Sequence, residues 1–580
     1  MDRSSDFSRR IGILLGSVFV IAALFLGRLI FIQVVDAEKL NAEAETHRTV
    51  SRVLYGVRGD VVDANGVVLA STVDRYDITA SPRFVSDFER DNVPVTVEQA
   101  LTEISQLTGT SVADLRAAIT KDATADFTYL TKGVTVNVLR KVQDLGVPWV
   151  YSDLRPTRTY PRGAVAGNLV GFMGTDGPLA GIELKNDSCL AAKDGVLTYG
   201  KGRDGIRIPG STLEQTPPVN GGTIHLTIDS DLQWFTQKVL SSRGKELQAA
   251  WANALIVRIE DGHILAAADW PSVDPNNVNA SKVDDMGARL FTSPYEPGSV
   301  VKPMTAAAMI DQGLLSPSDR FTVPARFEVA KGKFIVDSFA HGTERWTTTG
   351  IMVNSSNIGM NVMAQELSKQ QRYDILTSFG IGQKTGVSFL GEDSGYIAAP
   401  DVVDNVTKFT EIFGQGITST SAQIASVYQT LGNDGIRKPL TLITGCERAD
   451  GTVTDQPSTE GVQVVSAEAA NQTVSMMETV AKVGYLRSLV GIPGYRVALK
   501  SGTAEVARGG VYTDDRIISV AGVAPAENPK FAIVVTFGLP KAERTSLGAA
   551  TSFATLMGQT LKYYRVPPSS GKAENLPIEW

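Results

Sequence analysis

The chain has 580 residues, of which 43% are hydrophobic and 20% are charged, and its formal net charge is −7. So small an acidic excess on so long a chain argues against a dedicated nucleic-acid-binding surface. The length is sufficient for two or three domains. The four histidines, His47, His225, His263 and His341, are widely scattered. Because no H-x-x-x-H pair is present, the sequence predicts no metal site.

The N-terminus carries a candidate membrane anchor. Residues 11–35 are largely apolar, and Arg28 is their only charged side chain. A helix of this length can cross a hydrocarbon core of about 30 Å. Three arginines precede it, so residues 1–10 should stay in the cytoplasm. Because no convincing cleavage site follows, we expect a permanent single-pass anchor with the rest of the chain outside the cytoplasm.

Residues 36–215 are mixed in character and rich in turns. The run DVVDANGVVLAST predicts a β-hairpin closed by Asn65-Gly66, and residues 97–120, VEQALTEISQLTGTSVADLRAAIT, have a helical pattern. This range contains none of the segments SVVK, SSN and KSGT. We therefore predict a mixed α/β pedestal that lifts a second domain, residues 216–565, away from the membrane.

Three S-x-x-K tetrapeptides begin at Ser242, Ser299 and Ser569, so the pattern alone decides nothing. Context favours Ser299, because YEPG precedes it and VVKPMTAAAMIDQGLL then reads as a helix. In a first helical turn, free N–H groups and the helix dipole favour negative charge on the serine oxygen. Lys302 follows on the same face, close enough to take the serine proton. The other serines lie in a charged stretch and in residues 566–580, a predicted flexible tail.

A lysine acts as a base at neutral pH only if its pKa lies well below the usual value near 10.4. Lys302 must therefore be desolvated or lie beside another cation, for which Lys500 is the candidate. The segment Ser355-Ser356-Asn357 completes the predicted site. Ser355 would relay a proton to the leaving amine, and the Asn357 amide would hold Lys302 and a substrate carbonyl. Each of these segments, taken alone, is equally typical of a helix cap or a turn. Only their combination points to acyl transfer.

Two K-[ST]-G segments compete for the position of the second lysine. The segment at Lys384 lies in FGIGQKTGVSFLGEDSG, whose glycines indicate successive turns. Lys500 lies in YRVALKSGTAEV, a predicted strand that two further strands follow, and we therefore assign Lys500. The edge of such a sheet can pair with an extended peptide. Gly502 permits close approach, and Ser501, Thr503 and Lys500 are placed to bind a substrate with a terminal carboxylate.

In the order SVVK, SSN and KSGT the chain resembles the penicillin-binding proteins, specifically the monofunctional class B D,D-transpeptidases. Further similar segments are RGDVVDANG from Arg58, RTYP from Arg158, GIE from Gly181, LTIDSDLQ from Leu226, DGHILAAADWPSVDPN from Asp261 and FGQGI from Phe413. The resemblance thus runs from about residue 20 to about residue 540. Ala64 stands where the family usually has arginine. Ser501 stands where most relatives have threonine, and it keeps the hydroxyl.

The resemblance implies an α+β fold in which an antiparallel sheet flanked by helices forms a transpeptidase domain on the pedestal. It implies that Ser299 attacks the D-Ala-D-Ala end of a donor stem peptide, with the backbone N–H groups of Ser299 and Thr503 stabilising the oxyanion. An amine of a second peptidoglycan stem peptide then resolves the acyl-enzyme, and no cofactor is needed. The implied inhibitors are β-lactams, and the implied partners are a septal glycosyltransferase and other division membrane proteins.

The stretches GYRVALKSGTAEV and AGVAPAENPKFAIVV are more similar to the cell-division type than to the elongation type, so we expect a septal enzyme, with the elongation type as alternative. A β-lactamase with Glu366 as deacylating base, a D,D-carboxypeptidase and a β-lactam sensor share the chemistry, but the pedestal, the anchor and the short cytoplasmic tail disfavour them. Cys189 and Cys446 could pair in an oxidising compartment. They fall in different predicted domains, however, which favours buried free thiols.

Overall fold

The structure is a computed structural model that describes residues 3–39, 49–202 and 207–580. The chain divides into two compact units. The first consists of Met1–Val57 and Ala192–Asn220, and the second of Arg58–Ala191 and Gly221–Trp580. The first unit therefore draws on two stretches of chain that are far apart in sequence.

The first unit combines a long helix with a small sheet. The helix covers Arg3–Ile30 and continues as a π-helical turn over Phe31–Val35. Between Arg9 and Val35 it is apolar and long enough to cross a membrane, and its side chains there are exposed. The sheet is antiparallel, and its strands in sheet order are Thr49–Leu54, Gly195–Lys201 and Arg207–Thr216. This apolar helix agrees with the predicted single-pass anchor.

Residues 58–191 of the second unit contain short strands and helices. The strands are Val61–Val62, Val68–Val73, Tyr76–Ala80, Phe88–Arg90, Val93–Val95, Thr128–Val134, Val150–Leu154 and Thr157–Thr159. The helices are Val97–Thr108, Val112–Thr120, Val136–Asp144, Gly167–Val170, Gly181–Lys185 and Asp187–Leu190, with a 3-10 turn at Pro82–Phe84. The hairpin predicted at Asn65-Gly66 is confirmed, because Val62 pairs with Val68 across it.

Local signals divide the predicted helical segment of this region into two helices. Thr96 begins the first helix in a reciprocal capping box with Gln99, and Gly109 ends it in the left-handed conformation at φ +77°. Ser111 then caps the second helix. The apolar faces of both helices pack into one core that includes the fully buried Trp149.

A mixed six-stranded sheet brings together distant segments of the second unit. Its strands, in sheet order, are Val453–Thr454, Ile443–Glu447, Thr223–Leu226, Val61–Val62, Val68–Val73 and Thr157–Thr159. On the second of these strands, Cys446 forms a disulfide with Cys189, at a Cα–Cα distance of 6.1 Å. The prediction of free thiols was therefore wrong. The two cysteines are 257 residues apart, and a sheet that joins both halves of the unit brings them together.

The larger part of the second unit is built on a five-stranded antiparallel sheet. Its strands, in sheet order, are Ile264–Trp270, Trp251–Arg258, Phe531–Gly538, Val511–Ala524 and Ala498–Arg508. The sheet is buried on both faces, since Ile533 and Val535 belong to one core and Val534 to the other. Two-sided burial accounts for the continuous apolar runs in these strands. The sheet and its flanking helices agree with the predicted α+β fold.

Helices cover both faces of this sheet. Ser230–Leu247 and Leu547–Tyr563 pack on one face, and Ser421–Gly432 packs on the other. The other helices are Arg289–Thr292, Lys302–Asp311, Thr348–Val353, Asn357–Met363, Lys369–Ser378, Thr407–Thr410, Ala467–Val483 and Arg487–Val490, with 3-10 turns at Val278–Ala280, Val283–Asp285, Gly298–Val301 and Glu411–Phe413. Short strand pairs are Arg320–Val323 with Glu344–Thr347, Phe327–Ala330 with Lys333–Ile335, and Ile436–Arg437 with Val462–Gln463.

The C-terminal segment, predicted to be a flexible tail, is instead bound to this domain. The Thr347 side chain donates to the Pro577 carbonyl at 2.5 Å, and the Thr347 N–H donates to the Ile578 carbonyl at 3.1 Å. The ring of Trp580 lies 5.3 Å from the Arg345 guanidinium. The prediction of a flexible tail was based on the Pro-, Ser- and Gly-rich composition of the segment. These few hydrogen bonds and the aromatic contact hold the segment in place in spite of that composition.

Candidate active site

The predicted nucleophile lies on a tight turn that leads into a buried helix. Ser299 belongs to the 3-10 turn Gly298–Val301, and the helix Lys302–Asp311 follows directly. Side chains three residues apart are eclipsed in a 3-10 turn, so Ser299 and Lys302 lie on the same side of the chain. Ser299 is partly exposed although its neighbour Val300 is buried. The serine is therefore accessible, as a nucleophile must be.

Backbone contacts fix this turn. The Gly298 N–H donates to the Gly414 carbonyl at 2.9 Å, and the Tyr428 hydroxyl donates to the Val300 carbonyl at 2.9 Å. Gly414 has φ +90°, and a Cβ at this position would lie 2.2 Å from the Gly298 carbonyl oxygen. The segment FGQGI therefore needs glycine here, because it lies directly against the turn that carries the serine.

Lys302 is fully buried and is held by the predicted Ser355-Ser356-Asn357 turn. Its Nζ donates to the Ser355 carbonyl at 2.5 Å and to Asn357 Oδ1 at 2.8 Å. It also lies 3.4 Å from Ser355 Oγ. Ser355 has φ +54°, a left-handed conformation that is uncommon for a residue other than glycine. In this conformation both its carbonyl and its hydroxyl face the lysine.

Lys500 approaches the same hydroxyl. Its Nζ donates to Ser355 Oγ at 2.8 Å and to the Ser501 carbonyl at 3.1 Å. The hydroxyl of Ser355 thus accepts from two fully buried lysines, Lys302 and Lys500. This is the arrangement that a proton relay between a base and a leaving group requires.

Burial changes the acid–base behaviour of both lysines. It lowers the pKa of Lys302 to about 7, an effect that the nearby Asp337 carboxylate partly opposes. Burial and the charge of Lys302 together lower the pKa of Lys500 well below its usual value. The cause is the loss of hydration of an ammonium group in the protein interior. A substantial fraction of Lys302 is therefore unprotonated at neutral pH and can accept a proton.

Asp337 is a residue of this site that the sequence analysis missed. Its side chain is fully buried. Oδ1 accepts the N–H groups of Asn357 at 2.5 Å and Ile358 at 3.0 Å, and Oδ2 accepts the Ser356 hydroxyl at 2.5 Å and His341 Nε2 at 3.1 Å. The surrounding segment, VDSFAHG, has no spacing that indicates catalysis, so only the fold reveals this contact.

The Lys500 strand, Ala498–Arg508, lies at the edge of the five-stranded sheet, as predicted. Ser501 is buried and Thr503 is exposed. A Cβ at Gly502 would lie 2.5 Å from Ser519 Oγ on the neighbouring strand, 3.0 Å from Val300 Cγ1 and 3.1 Å from the Pro297 carbonyl oxygen. Glycine at position 502 therefore lets the turn that carries the serine pack against the strand, a physical reason beyond the substrate approach expected from the sequence.

The competing sequence motifs lie elsewhere in the fold. Lys384 is in a turn beside a cavity of about 180 Å³, and the Glu392 carboxylate accepts two hydrogen bonds that fasten this turn, each at 2.7 Å. Ser242 is exposed on a helix, and Glu366 is also exposed. Ser569 Oγ accepts a backbone N–H at 2.8 Å. These placements support Ser299 and Lys500 over the alternatives.

Comparison with known proteins gives matches along most of the chain. Residues 252–558 match the family model of the penicillin binding protein transpeptidase domain, and residues 54–178 match that of the penicillin-binding protein dimerisation domain. Penicillin-binding protein PbpB of Mycolicibacterium smegmatis is 32% identical, over 97% of this chain and 91% of that protein.

Two further proteins extend the comparison. Peptidoglycan D,D-transpeptidase FtsI of Escherichia coli is 29% identical, over 98% of this chain and 94% of that protein. The crystal structure of penicillin binding protein 3 of Mycobacterium tuberculosis, complexed with aztreonam, superimposes with a TM-score of 0.69 at 27% identity. That alignment covers 91% of this chain and all of the other.

Proposed function

The chain belongs to the class B penicillin-binding proteins of the division type and is a peptidoglycan D,D-transpeptidase, and we propose that it acts through an acyl-enzyme on Ser299. The observation that carries this proposal is the Ser355 hydroxyl, which accepts hydrogen bonds from the buried Lys302 and Lys500 at 3.4 and 2.8 Å. Two desolvated lysines that share one hydroxyl supply a base and a proton relay at neutral pH.

In the first half-reaction, Ser299 Oγ attacks the penultimate D-alanine carbonyl of a donor stem peptide while Lys302 Nζ takes the hydroxyl proton. The backbone N–H groups of Ser299 and Thr503 stabilise the oxyanion. The carbon–nitrogen bond then breaks, and the proton passes from Lys302 through Ser355 to the departing D-alanine. Asn357 keeps Lys302 in position and binds a substrate carbonyl.

In the second half-reaction, the amine of a neighbouring stem peptide attacks the acyl-enzyme ester. Its proton is taken through the Ser355 and Lys302 relay, the ester bond to Ser299 breaks, and the serine recovers its proton. The product is a new peptide crosslink. Ser501, Gly502 and Thr503 lie along the strand edge where the extended donor peptide pairs, and Lys500 attracts its terminal carboxylate.

A β-lactam places a strained amide in the position of the donor peptide, so Ser299 forms a stable acyl adduct with it. The first experiment is intact-protein mass spectrometry after exposure to penicillin. The wild-type chain should gain the mass of one inhibitor, and Ser299→Ala should gain none. Ser242→Ala and Ser569→Ala are matched controls that should label fully. Labelling that persists in Ser299→Ala would exclude this nucleophile.

We also propose how the enzyme is placed in the cell. Residues 1–10 lie in the cytoplasm, residues 11–35 span the membrane, residues 36–215 form the pedestal, and residues 216–565 form the extracytoplasmic transpeptidase domain. The disulfide between Cys189 and Cys446 supports this orientation, because such bonds persist in oxidising compartments. The anchor and pedestal recruit the enzyme to the septum through a division glycosyltransferase and other membrane proteins.

Replacing residues 11–35 with an unrelated membrane span tests the recruitment. A fluorescent fusion of the wild-type chain should gather at midcell, and depletion of the enzyme should leave septa incomplete. The exchanged chain should gather less at midcell while its acylation by penicillin stays unchanged, because the span carries none of the catalytic groups. A wild-type fusion spread along the side wall would favour an elongation role.

A further inference from the structure

The turn that carries Ser355 depends on contacts from outside itself. Ser355 has φ +54°, and a left-handed residue other than glycine is strained by roughly 1–2 kcal/mol. The strain is useful, because this conformation presents both the carbonyl and the hydroxyl of Ser355 to Lys302. Some other group must hold the turn in place.

Asp337 is that group. Its carboxylate takes the N–H of Asn357 and the hydroxyl of Ser356, the two residues that follow Ser355. Asn357 is thereby fastened at both ends, since its backbone donates to Asp337 and its side chain accepts from Lys302 at 2.8 Å. We propose that Asp337 is a positioning residue of the transpeptidase reaction, which holds this turn so that the Ser355 hydroxyl stays between the two lysines.

The carboxylate is itself held firmly. His341 Nε2 donates to Asp337 Oδ2 at 3.1 Å, and the His341 side chain is only 5% exposed. The imidazole ring packs against two aromatic rings, with centroids 5.2 Å from Trp346 and 5.3 Å from Phe339, and these two rings also contact each other. The loop that carries Asp337 is therefore packed against the domain and can serve as a fixed support for the turn.

Asp337 also acts on Lys302 through its charge. Its negative charge raises the pKa of Lys302, against the lowering by burial. The other buried charged groups on the elements around Lys302, within the described residues, are Lys500, Arg372, Glu411 and Glu478. Glu478 forms an ion pair with Arg496. Burial raises the pKa of Glu411 to about 7, an effect that the charge of Arg372 partly opposes. Removing the carboxylate of Asp337 should therefore lower the pKa of Lys302 and also loosen the turn. Replacing a residue that only supported the turn would leave the pKa of Lys302 unchanged.

The test is the rate of penicillin acylation of the full chain as a function of pH, for the wild type, Asp337→Asn and Ser356→Ala. Asp337→Asn keeps the side-chain shape but removes the charge and one acceptor. Its maximal rate should fall roughly 100-fold, as expected when a catalytic group is misplaced by about 1 Å, and the midpoint of its low-pH limb should move to lower pH. Asp401→Asn, at an exposed position, should leave both rate and midpoint unchanged.

Ser356→Ala separates the two effects. It removes a hydrogen bond to Asp337 and the cap on the Gly359 N–H but leaves the carboxylate charge, so the rate should fall without a change in midpoint. If Asp337→Asn does not fold, Ser356→Ala still tests the proposal, because acylation of Ser356→Ala at the wild-type rate would overturn it. A slower Asp337→Asn enzyme with the wild-type midpoint would also overturn it.

The proposal rests on the proposed function, and the two can fail separately. If Ser299 is not the nucleophile, the Ser299→Ala chain will still be labelled by penicillin. If Asp337 is not a positioning residue, the wild-type chain will still be acylated at Ser299, and only the expected behaviour of the Asp337→Asn and Ser356→Ala variants will be missing.

Discussion

Replacing Lys302 with methionine should make the free energy of unfolding respond differently to pH. Lys302 is fully buried, and its pKa falls from 10.5 to about 7 on folding. At about 1.36 kcal/mol per pKa unit, keeping this lysine in the interior costs about 4 kcal/mol at pH 7. Methionine of similar length removes that cost. It also leaves the Ser355 carbonyl and Asn357 Oδ1 without a donor, at about 1–3 kcal/mol each, so the net change at pH 7 can have either sign.

The pH dependence is free of this ambiguity. Between pH 7 and 10.5 the unfolded chain holds a proton on Lys302 that the folded chain has lost, so the wild-type protein becomes more stable as pH rises through this window. From pH 7 to pH 9 the wild type should gain about 2 kcal/mol relative to Lys302→Met. Titrations of groups outside the site cancel in the difference between the two proteins. Lys500 does not cancel, because its pKa rises once the charge of Lys302 is removed, and this change enlarges the difference in the same direction.

Equilibrium urea unfolding of the detergent-solubilised chain at pH 7, 8 and 9, followed by tryptophan fluorescence, measures the difference. Lys384→Met, on an exposed side chain, is the matched control and should track the wild type at every pH. A constant difference between wild type and Lys302→Met from pH 7 to pH 9 would refute the reasoning. Lys302 would then titrate as an ordinary lysine and would not be a base at neutral pH.

Three further predictions test other parts of the structure. Lys500→Ala should slow acylation by about 100-fold or more, because it removes the donor to Ser355 Oγ. Lys384→Ala should leave the acylation rate unchanged, and equal rates for the two variants would mean that Lys500 is not the second lysine of the site. In Gly350→Ala the new Cβ would lie 1.9 Å from the Ile578 carbonyl oxygen, so the C-terminal segment should become sensitive to carboxypeptidase while that of the wild type resists. Cys446→Ser should lower the free energy of unfolding by about 2–5 kcal/mol, and a reductant should then destabilise only the wild type.

Much of the candidate site could be predicted because its parts are local in sequence. Ser299 and Lys302 are three residues apart, so any helical turn places them on one side of the chain. The choice of Lys500 over Lys384 was also local, since a strand and a series of glycine turns have different periodicities. The hairpin at Asn65-Gly66 followed from turn chemistry alone.

The errors have a common physical origin. The disulfide of Cys189 with Cys446 depends on a sheet that joins segments 257 residues apart. The C-terminal segment is held by hydrogen bonds from the Thr347 hydroxyl and N–H and by Trp580 against Arg345. None of these contacts can be read from the composition of the segment. Asp337 has no motif of its own. Each of these contacts is long-range, and no local pattern records it.

The sequence by itself determined the chemical groups, the order in which they occur and the elements that carry them, because helix caps, strand periodicity and turn residues act within a few positions of the chain. Only the tertiary structure decided how those groups behave. The pKa of Lys302 falls to about 7 because folding buries it, and the Ser355 hydroxyl meets Lys500 because the edge strand packs beside the turn that carries it. Burial and long-range contact depend on the whole fold, and they turn two ordinary lysines into a base and its partner.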